Sequence, residues 1–306
     1  MAAAWLGLLG VGGCVGSDGD ALAPQEIGEL SQEVLSANGL STNGLSTNGL
    51  STNGLSTNGL STNGLSTNGL AATSFSTWFN GNASVAYSDM VMRYVVACAL
   101  PAGQTRVWTN PVTGVTYSWP GRLGLATAWA QGAAATVAEQ QRMSACLAAH
   151  VNKYGVSVPL SLQGQNSAGV IPMAANEATD YPEKEACFFG NLFTGEGVFV
   201  GNDRNLTRSE STPRGCALSA KGAGENTGCA PLQHVGMCAS VCTRSATHGF
   251  WERCVVNGVS YQALTTRLRA QDIFNCGDGV CQFTESCGMG KTYDSCGADC
   301  STCGAP

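Results

Sequence analysis

Thr136-Val-Ala-Glu139-Gln-Gln-Arg-Met143-Ser-Ala-Cys146-Leu147-Ala-Ala-His150-Val151-Asn-Lys153 is the stretch that decides the fold class. Thr136 and Glu139 have the spacing of a capping box, in which hydroxyl and carboxylate each accept an orphan main-chain N–H at a helix start. Met143, Cys146, Leu147, His150 and Val151 then recur at helical spacing, so the sequence predicts a helix to about Lys153, ended by Gly155, with one apolar face. Upstream, Ser84 to Leu100 repeats the pattern through Val91, Tyr94, Val95 and Cys98 until Pro101 stops it. Each helix carries a cysteine on its apolar face, so a Cys98–Cys146 bridge clamping the two is expected, the cysteines of the second half of the domain being the other partners open to them.

Other segments read as strands. Arg106-Val-Trp108 and Val115-Thr-Tyr-Ser-Trp119 flank Asn110-Pro-Val-Thr-Gly114 as a hairpin, and Val156 to Leu162 is a further strand. Val255-Val-Asn257-Gly258-Val-Ser-Tyr261 is a second hairpin, whose Asn-Gly supplies the positive φ of a type I′ turn. The expected class is α+β: two helices packed with short antiparallel strands and hairpins, a loop-rich and bridge-dense half after Cys187, and a small cysteine-rich unit at the end.

The 306 residues include 40 glycines and only 12% charged side chains, which excludes a coiled coil. A net charge of −6 and a pI near 5.0 leave no basic stripe to neutralise phosphates, so nucleic acid is not an expected partner. Charge is uneven along the chain: −5 over residues 1–70, +3 over 71–270 and −4 over 271–306.

Fifteen cysteines are an odd number. Setting Cys14 aside leaves eight (Cys98, Cys146, Cys187, Cys216, Cys229, Cys238, Cys242, Cys254) and six (Cys276, Cys281, Cys287, Cys296, Cys300, Cys303), so each group can close its own bridges on either side of a boundary near residue 272. Cys238-x-x-x-Cys242 and Cys300-x-x-Cys303 have zinc-like spacings, but an oxidising compartment favours disulfides over metal.

Residues 1–13 are uncharged and apolar, too short to span a bilayer and of a length suited to a signal-peptide core. Val11-Gly12-Gly13-Cys14 resembles a bacterial lipobox, which implies that the Cys14 sulfur accepts diacylglycerol and that the protein is held on a membrane, at the outer membrane or cell surface, through a lipid anchor. From Asn38 to Leu70, Asn-Gly-Leu recurs at 38, 43, 48, 53, 58, 63 and 68. A period of five advances a helix by about 500° and places successive leucines of a strand on opposite faces, so no single regular element buries them on one side. Residues 14–70 are therefore expected to be an acidic, disordered tether, although the repeat partly resembles that of pentapeptide-repeat β-helices.

Chemical motifs are scarce. Gly-x-Ser-x-Gly, His-Glu-x-x-His, Ser-x-x-Lys and a phosphate-binding glycine loop are all absent. His150 falls on the buried helix face and reads as a core residue, while His234 and His248 lie near cysteines expected to be oxidised. An extracytoplasmic hydrolase, the alternative function, would have to bring one of them to a carboxylate and a hydroxyl from distant segments. The pairs Glu183/Glu185 and Glu177/Asp180 would suit glycosidase chemistry if held about 5 to 9.5 Å apart, but their polar surroundings at Pro182 read as solvated surface. Trp78, Trp108, Trp119, Trp129 and Trp251 are expected mostly in the core.

Tyr94-Val-Val-Ala-Cys98-Ala-Leu-Pro101, Leu123-Gly-Leu-Ala-Thr-Ala-Trp129, Met143-Ser-Ala-Cys146-Leu-Ala-Ala-His-Val-Asn152 and Gly190-Asn-Leu-Phe193 resemble blocks of uncharacterised cysteine-rich surface lipoproteins of myxobacteria. That resemblance covers roughly residues 75–270; it implies a surface protein with one folded unit and brings no activity with it. Cys276-Gly-Asp-Gly-Val-Cys281, Glu285-Ser-Cys287, Cys296, Asp299-Cys300 and Cys303 resemble the Cys-Gly-Asp-Gly-x-Cys repeats of secreted bacterial proteins, with Gly288 to Ser295 inserted. A unit this small needs bridges in place of a core. Asp278, Glu285, Asp294 and Asp299 are hard oxygen donors that would suit calcium, against a default of turn formation by Asp-Gly.

The expected organisation is a lipoprotein signal peptide (1–13), an acidic repeat tether (14–70), a disulfide-stabilised α+β domain (71–271) and a cysteine-rich unit (272–306). No catalytic residue and no cofactor other than calcium is expected. The expected function is that of a lipid-anchored cell-surface protein acting as a binding or structural module, with a protein or glycan as the ligand and no specific activity identified.

Overall fold

The computed structural model describes residues 35–38, 40–41, 64–81, 84–152, 154, 156–207, 209–218, 229, 231–287 and 296–301. The expected signal peptide, Cys14, the repeat copies over 42–63, Asp294 and Cys303 lie outside the described residues.

Two strands, β1 (Leu35–Asn38) and β2 (Leu40–Ser41), are followed by helices α1 (Thr67–Ala71), α2 (Thr73–Gly81) and α3 (Val85–Ala99). The hairpin β3 (Thr105–Thr109) and β4 (Thr116–Pro120) precedes α4 (Thr127–Ala130) and α5 (Val137–Ala149). Short strands β5 (Val151–Asn152), β6 (Val158–Gln163), β7 (Gln165–Asn166) and β8 (Gly169–Val170) lead to α6 (Glu177–Asp180) and the long β9 (Glu183–Asn191). Then come β10 (Gly197–Asn202), β11 (Glu210–Ser211), β12 (Leu232–Met237), α7 (Cys238–Val241), β13 (Cys242–Arg244), β14 (Trp251–Val256), β15 (Val259–Leu268), β16 (Phe274–Asn275) and α8 (Gly297–Cys300).

The main sheet has eight strands in the order β1-β6-β15-β9-β10-β12, with β14 also on β15 and β13 on β14. Its ladders are antiparallel except β10–β12. The half after Cys187, expected to be loop-rich, therefore supplies most of the sheet. The reason is local: from Glu185 onward β9 is buried on both faces, so its sequence lacks the polar alternation that marks a half-exposed strand.

α5 lies across β9, β10 and β15, and α3 packs on α5. The capping box forms as drawn from the sequence, with Thr136 Oγ1 accepting from Glu139 N and Glu139 Oε2 from Thr136 N at 3.0 Å. Met143, Cys146 and Leu147 join Val91, Val95 and Cys98 of α3 and Ala186 and Phe188 of β9 in one core, where each large apolar side chain contributes about 1.5–3 kcal/mol. Cys98 and Cys146 are bridged, Cα to Cα 6.2 Å. The helix is shorter than expected: His150 caps it, and Val151–Asn152 leave as an extended strand paired with Leu40–Ser41.

A buried guanidinium finishes that end. Arg214 donates from Nη2 to Ala149 O (2.8 Å), a carbonyl that the helix end leaves orphaned, and from Nη1 to Val151 O (2.5 Å) at the start of β5. Its Nε donates to Glu185 Oε1 at 2.6 Å, both side chains being wholly inaccessible. Glu185, read as solvated, is thus a core residue of β9. Glu177 is corrected too: it is 2% exposed, its carboxylate accepting from Ser161 Oγ (2.5 Å) and Ala174 N (3.0 Å).

The described ends of the repeat belong to the fold. β1 pairs antiparallel with β6, and Leu65 and Leu70 are buried in the main core. A period of five serves here because the conformation changes between the two leucines: Gly64 turns with φ of 53°, and Ser66 then caps α1 by accepting from Gly69 N at 3.2 Å. A Cβ on Gly64 would lie 1.5 Å from Trp129 O, so only glycine fits. The expected boundary at residue 71 accordingly falls on the last residue of α1.

Candidate functional site

The hairpin β3–β4 is held rigidly. Trp108, Tyr117 and Trp119 stack on one another and against Phe75 and Phe79 of α2, with ring centroids 4.7–6.4 Å apart. Trp119 Nε1 donates to Asp89 Oδ1 at 2.7 Å, and the amides of Asn80 and Asn110 bond reciprocally at 3.2 and 2.8 Å. Arg106 reaches across to Leu65 O and Ala130 O, both at 2.9 Å, tying β3 to the last repeat copies.

Between β3 and that segment lies an open groove of about 820 Å³, lined by all five residues of β3, by Leu65, Ser66, Thr67 and Leu70, and by Ser76 and Gln131 among others. The edge of β3 that faces away from β4 is unpaired among the described residues. Asn110 N donates to Val115 O and Gly121 N to Gln104 O, which fixes the alternation of the ladder: Arg106 and Trp108 bond to β4, while Thr105, Val107 and Thr109 turn their N–H and C=O outward. One of these carbonyls, that of Thr105, is touched by Arg106 Nη1 at 3.4 Å. The strand's one charged residue is Arg106, whose guanidinium is engaged by Leu65 O, Ala130 O and Thr105 O, and neither proline nor a bulge interrupts β3. Val107, Val112 and Val115 on the same hairpin are 60, 70 and 50% exposed. No signal in the sequence marked the edge, because a two-stranded hairpin reads the same whether or not a third strand covers it.

The three histidines are held apart, each in its own contacts. His150 is fully buried beside Tyr94, its Nδ1 2.7 Å from Cys146 O, and burial, with Arg214 and Arg122 nearby, lowers its pKa to about 4. His234 lies between Asn202 Oδ1 (2.7 Å from Nε2) and Gly236 N–H (3.1 Å from Nδ1), which sets the Nε2-protonated tautomer; burial lowers its pKa as well. His248 stacks on Phe250 and sits 2.6 Å from Thr247 Oγ1. These contacts are to main-chain, amide, hydroxyl and ring groups.

Within the cysteine-rich unit, Asp299 acts as an internal anion. Its carboxylate accepts from Gly277 N (2.6 Å), Asp278 N (3.2 Å) and Gly279 N (3.0 Å), a nest made possible by φ of 102° and 87° at the two glycines. Asp278 accepts from Val280 N and Gln282 Nε2, and Glu285 from Gln282 N. Burial and the charges of Asp299 and Asp278 raise the Glu285 pKa. Among the described residues the oxygens of Asp278, Glu285 and Asp299 do not converge into one ligand set. The unit docks on the domain through β16–β11, through Cys276 N to Ser209 O (2.7 Å) and through Ser211 Oγ to Thr284 Oγ1 (2.9 Å).

Besides Cys98–Cys146, the bridges are Cys187–Cys238, Cys216–Cys229, Cys242–Cys254, Cys276–Cys296 and Cys281–Cys300. Cys287 is disulfide-bonded as well. The two sulfurs of Cys238-x-x-x-Cys242 thus belong to different bridges. This density of disulfides is that of a chain folded in an oxidising compartment, and among the described residues no helix is long and apolar enough to cross a membrane.

Residues 35–61 and 54–78 match the GLTT repeat (6 copies) family model. That match takes in β1, the groove wall at Leu65–Leu70 and most of α2, and it stops short of the domain beyond. No curated protein and no solved structure matches the chain.

Proposed function

We propose that this chain is an exported surface module, anchored at the outer membrane or cell surface by lipid on Cys14, that binds an extended segment of a partner protein along the outer edge of β3. The observation that carries the binding reading is that edge: outward N–H and C=O groups at Thr105, Val107 and Thr109 beside a groove walled by the last repeat copies. An added strand gains main-chain hydrogen bonds from such an edge, and the exposed valines supply apolar contact. The GLTT repeat and the disulfide-rich fold fit an extracellular binding or structural role.

Two experiments test this reading. The intact mass of membrane-extracted protein, before and after reduction and alkylation, is expected to carry the added mass of acyl chains on a chain beginning at Cys14; an unacylated mature chain overturns the anchor. For the edge, a random-peptide display selection is run on the wild type and on Val107→Pro. Proline there removes an outward N–H and leaves the β3–β4 bonds intact. Selected peptides are expected to lose at least about tenfold in affinity for the variant; equal affinity overturns the edge as the binding site.

A further inference from the structure

On the face of the sheet away from α5, two disulfides come into contact. Cys187 of β9 is bonded to Cys238 at the start of α7, and Cys242, immediately after α7, is bonded to Cys254 directly opposite on β14. Cys242 Sγ lies 3.5 Å from Cys187 Sγ, and the sulfurs of Cys187, Cys242 and Cys254 all lie within 4.8 Å of one another. The cluster closes against β10 because residue 201 is glycine: a Cβ there would lie 3.1 Å from Cys187 Sγ. Cys187, Cys238 and Cys254 are 0% exposed, whereas Cys242 is half-buried.

We propose that these four cysteines form a thiol–disulfide exchange site, whose substrate class is an external dithiol and whose point of attack is Cys242. A thiolate of the dithiol attacks Cys242 Sγ; the Cys242–Cys254 bond breaks and Cys254 leaves as thiolate. The second thiolate of the dithiol attacks its own sulfur in the mixed disulfide, so the dithiol departs as a disulfide and Cys242 is freed as thiolate. Cys242 then attacks Cys187 Sγ, the Cys187–Cys238 bond breaks, and Cys238 leaves as thiolate. Two electrons pass from dithiol to protein, the new thiolates take protons from water, and the product holds one bridge, Cys187–Cys242, with thiols at Cys238 and Cys254. Cys238 and Cys242, whose i,i+4 spacing resembles a zinc pair, stand at the two ends of the one turn of α7, so the leaving sulfur is the one bonded to Cys187 and the incoming sulfur lies 3.5 Å from it. The inference does not depend on lipid at Cys14 or on the edge of β3.

The full-length oxidised chain is exposed to limiting dithiothreitol, quenched with iodoacetamide at successive times and mapped by peptide mass. A two-electron-reduced species bridged at Cys187–Cys242, with Cys238 and Cys254 alkylated, is expected. Only Cys242 and Cys254 alkylated at every time, or Cys187 and Cys238 alkylated first, overturns the proposal. The variant Cys242→Ser/Cys254→Ser separates relay from scaffold. Loss of the relay slows reduction of Cys187–Cys238 by about tenfold or more, whereas loss of a mere staple leaves that rate unchanged or raises it. Should the variant not fold, the wild-type mapping decides alone.

Discussion

β9 shows two faces to two kinds of cover. Ala186 and Phe188 meet α5, whose Met143 and Leu147 belong to the large aliphatic core, with Cys98–Cys146 joining α5 to α3 behind it. Cys187 and Phe189, one residue along in each case, meet a small cluster of Phe199, Trp251 and Tyr261 packed with Cys238 and Cys254. On the first face burial of apolar surface supplies most of the stability, and the bridge reinforces it. On the second the cover is a single turn of helix and short strands, with two bridges holding it down. A thin layer buries too little to stay closed by packing alone, and covalent links that restrict the unfolded chain substitute for that missing area.

The largest effect is expected at the buried ion pair beneath α5. Arg214→Met leaves Glu185 uncompensated and removes donors from Ala149 O and Val151 O, and should cost about 5 kcal/mol by urea unfolding. Adding Glu185→Leu should return part of that loss, because the unpaired charge goes with it. If Arg214→Met alone is neutral, the pair does not anchor the helical face.

Bridge removal sharpens the contrast. Closing a loop of 48 residues, Cys98→Ala/Cys146→Ala is expected to lose about 4 kcal/mol, and Cys242→Ala/Cys254→Ala, closing 12, about 3 kcal/mol. The second loss should fall on the smaller face: amides of β13 and β14 exchange faster while those of α5 do not. Equal loosening of both faces in amide-exchange measurements would show that they do not differ in this way.

His150 adds a pH dependence to the helical face. Its pKa of about 4 in the fold lies below the ordinary 6.5, so the unfolded chain takes up a proton that the folded chain refuses. Stability therefore falls as pH drops from about 6.5 to about 4, by about 3 kcal/mol at most. His150→Asn should flatten that slope relative to the wild type in urea midpoints taken across the window; an unchanged slope would place the titration elsewhere.

Among these effects the smallest on stability is expected at the candidate edge. Val107→Lys puts a charge on an exposed position and should shift the urea midpoint by no more than about 0.5 kcal/mol, while blocking strand addition.

How far the sequence discloses this fold varies with the element. Thr136, Glu139 and the apolar run to Val151 announced α5, and the two cysteines on helical faces announced their bridge, because both signals are local. Asn257-Gly258 marked its hairpin for the same reason, and φ of 52° and 78° are found there. β9 was hidden, since a strand buried on both sides has no alternation to read. Glu185 misled because its partner Arg214 lies 29 residues away, and no local pattern reveals a long-range ion pair. Leu65 and Leu70 escaped because their burial depends on a change of conformation between them. The groove edge and the sulfur contact are tertiary products of such pairings.

The most direct test is amide exchange on the full-length chain before and after reduction of Cys187–Cys238 and Cys242–Cys254. Faster exchange confined to β12, β13 and β14, with α5 and β6 still protected, is the predicted result. Loss of protection on α5 at the same rate, or earlier, would contradict a fold whose one face is held by packing and whose other face is held by sulfur.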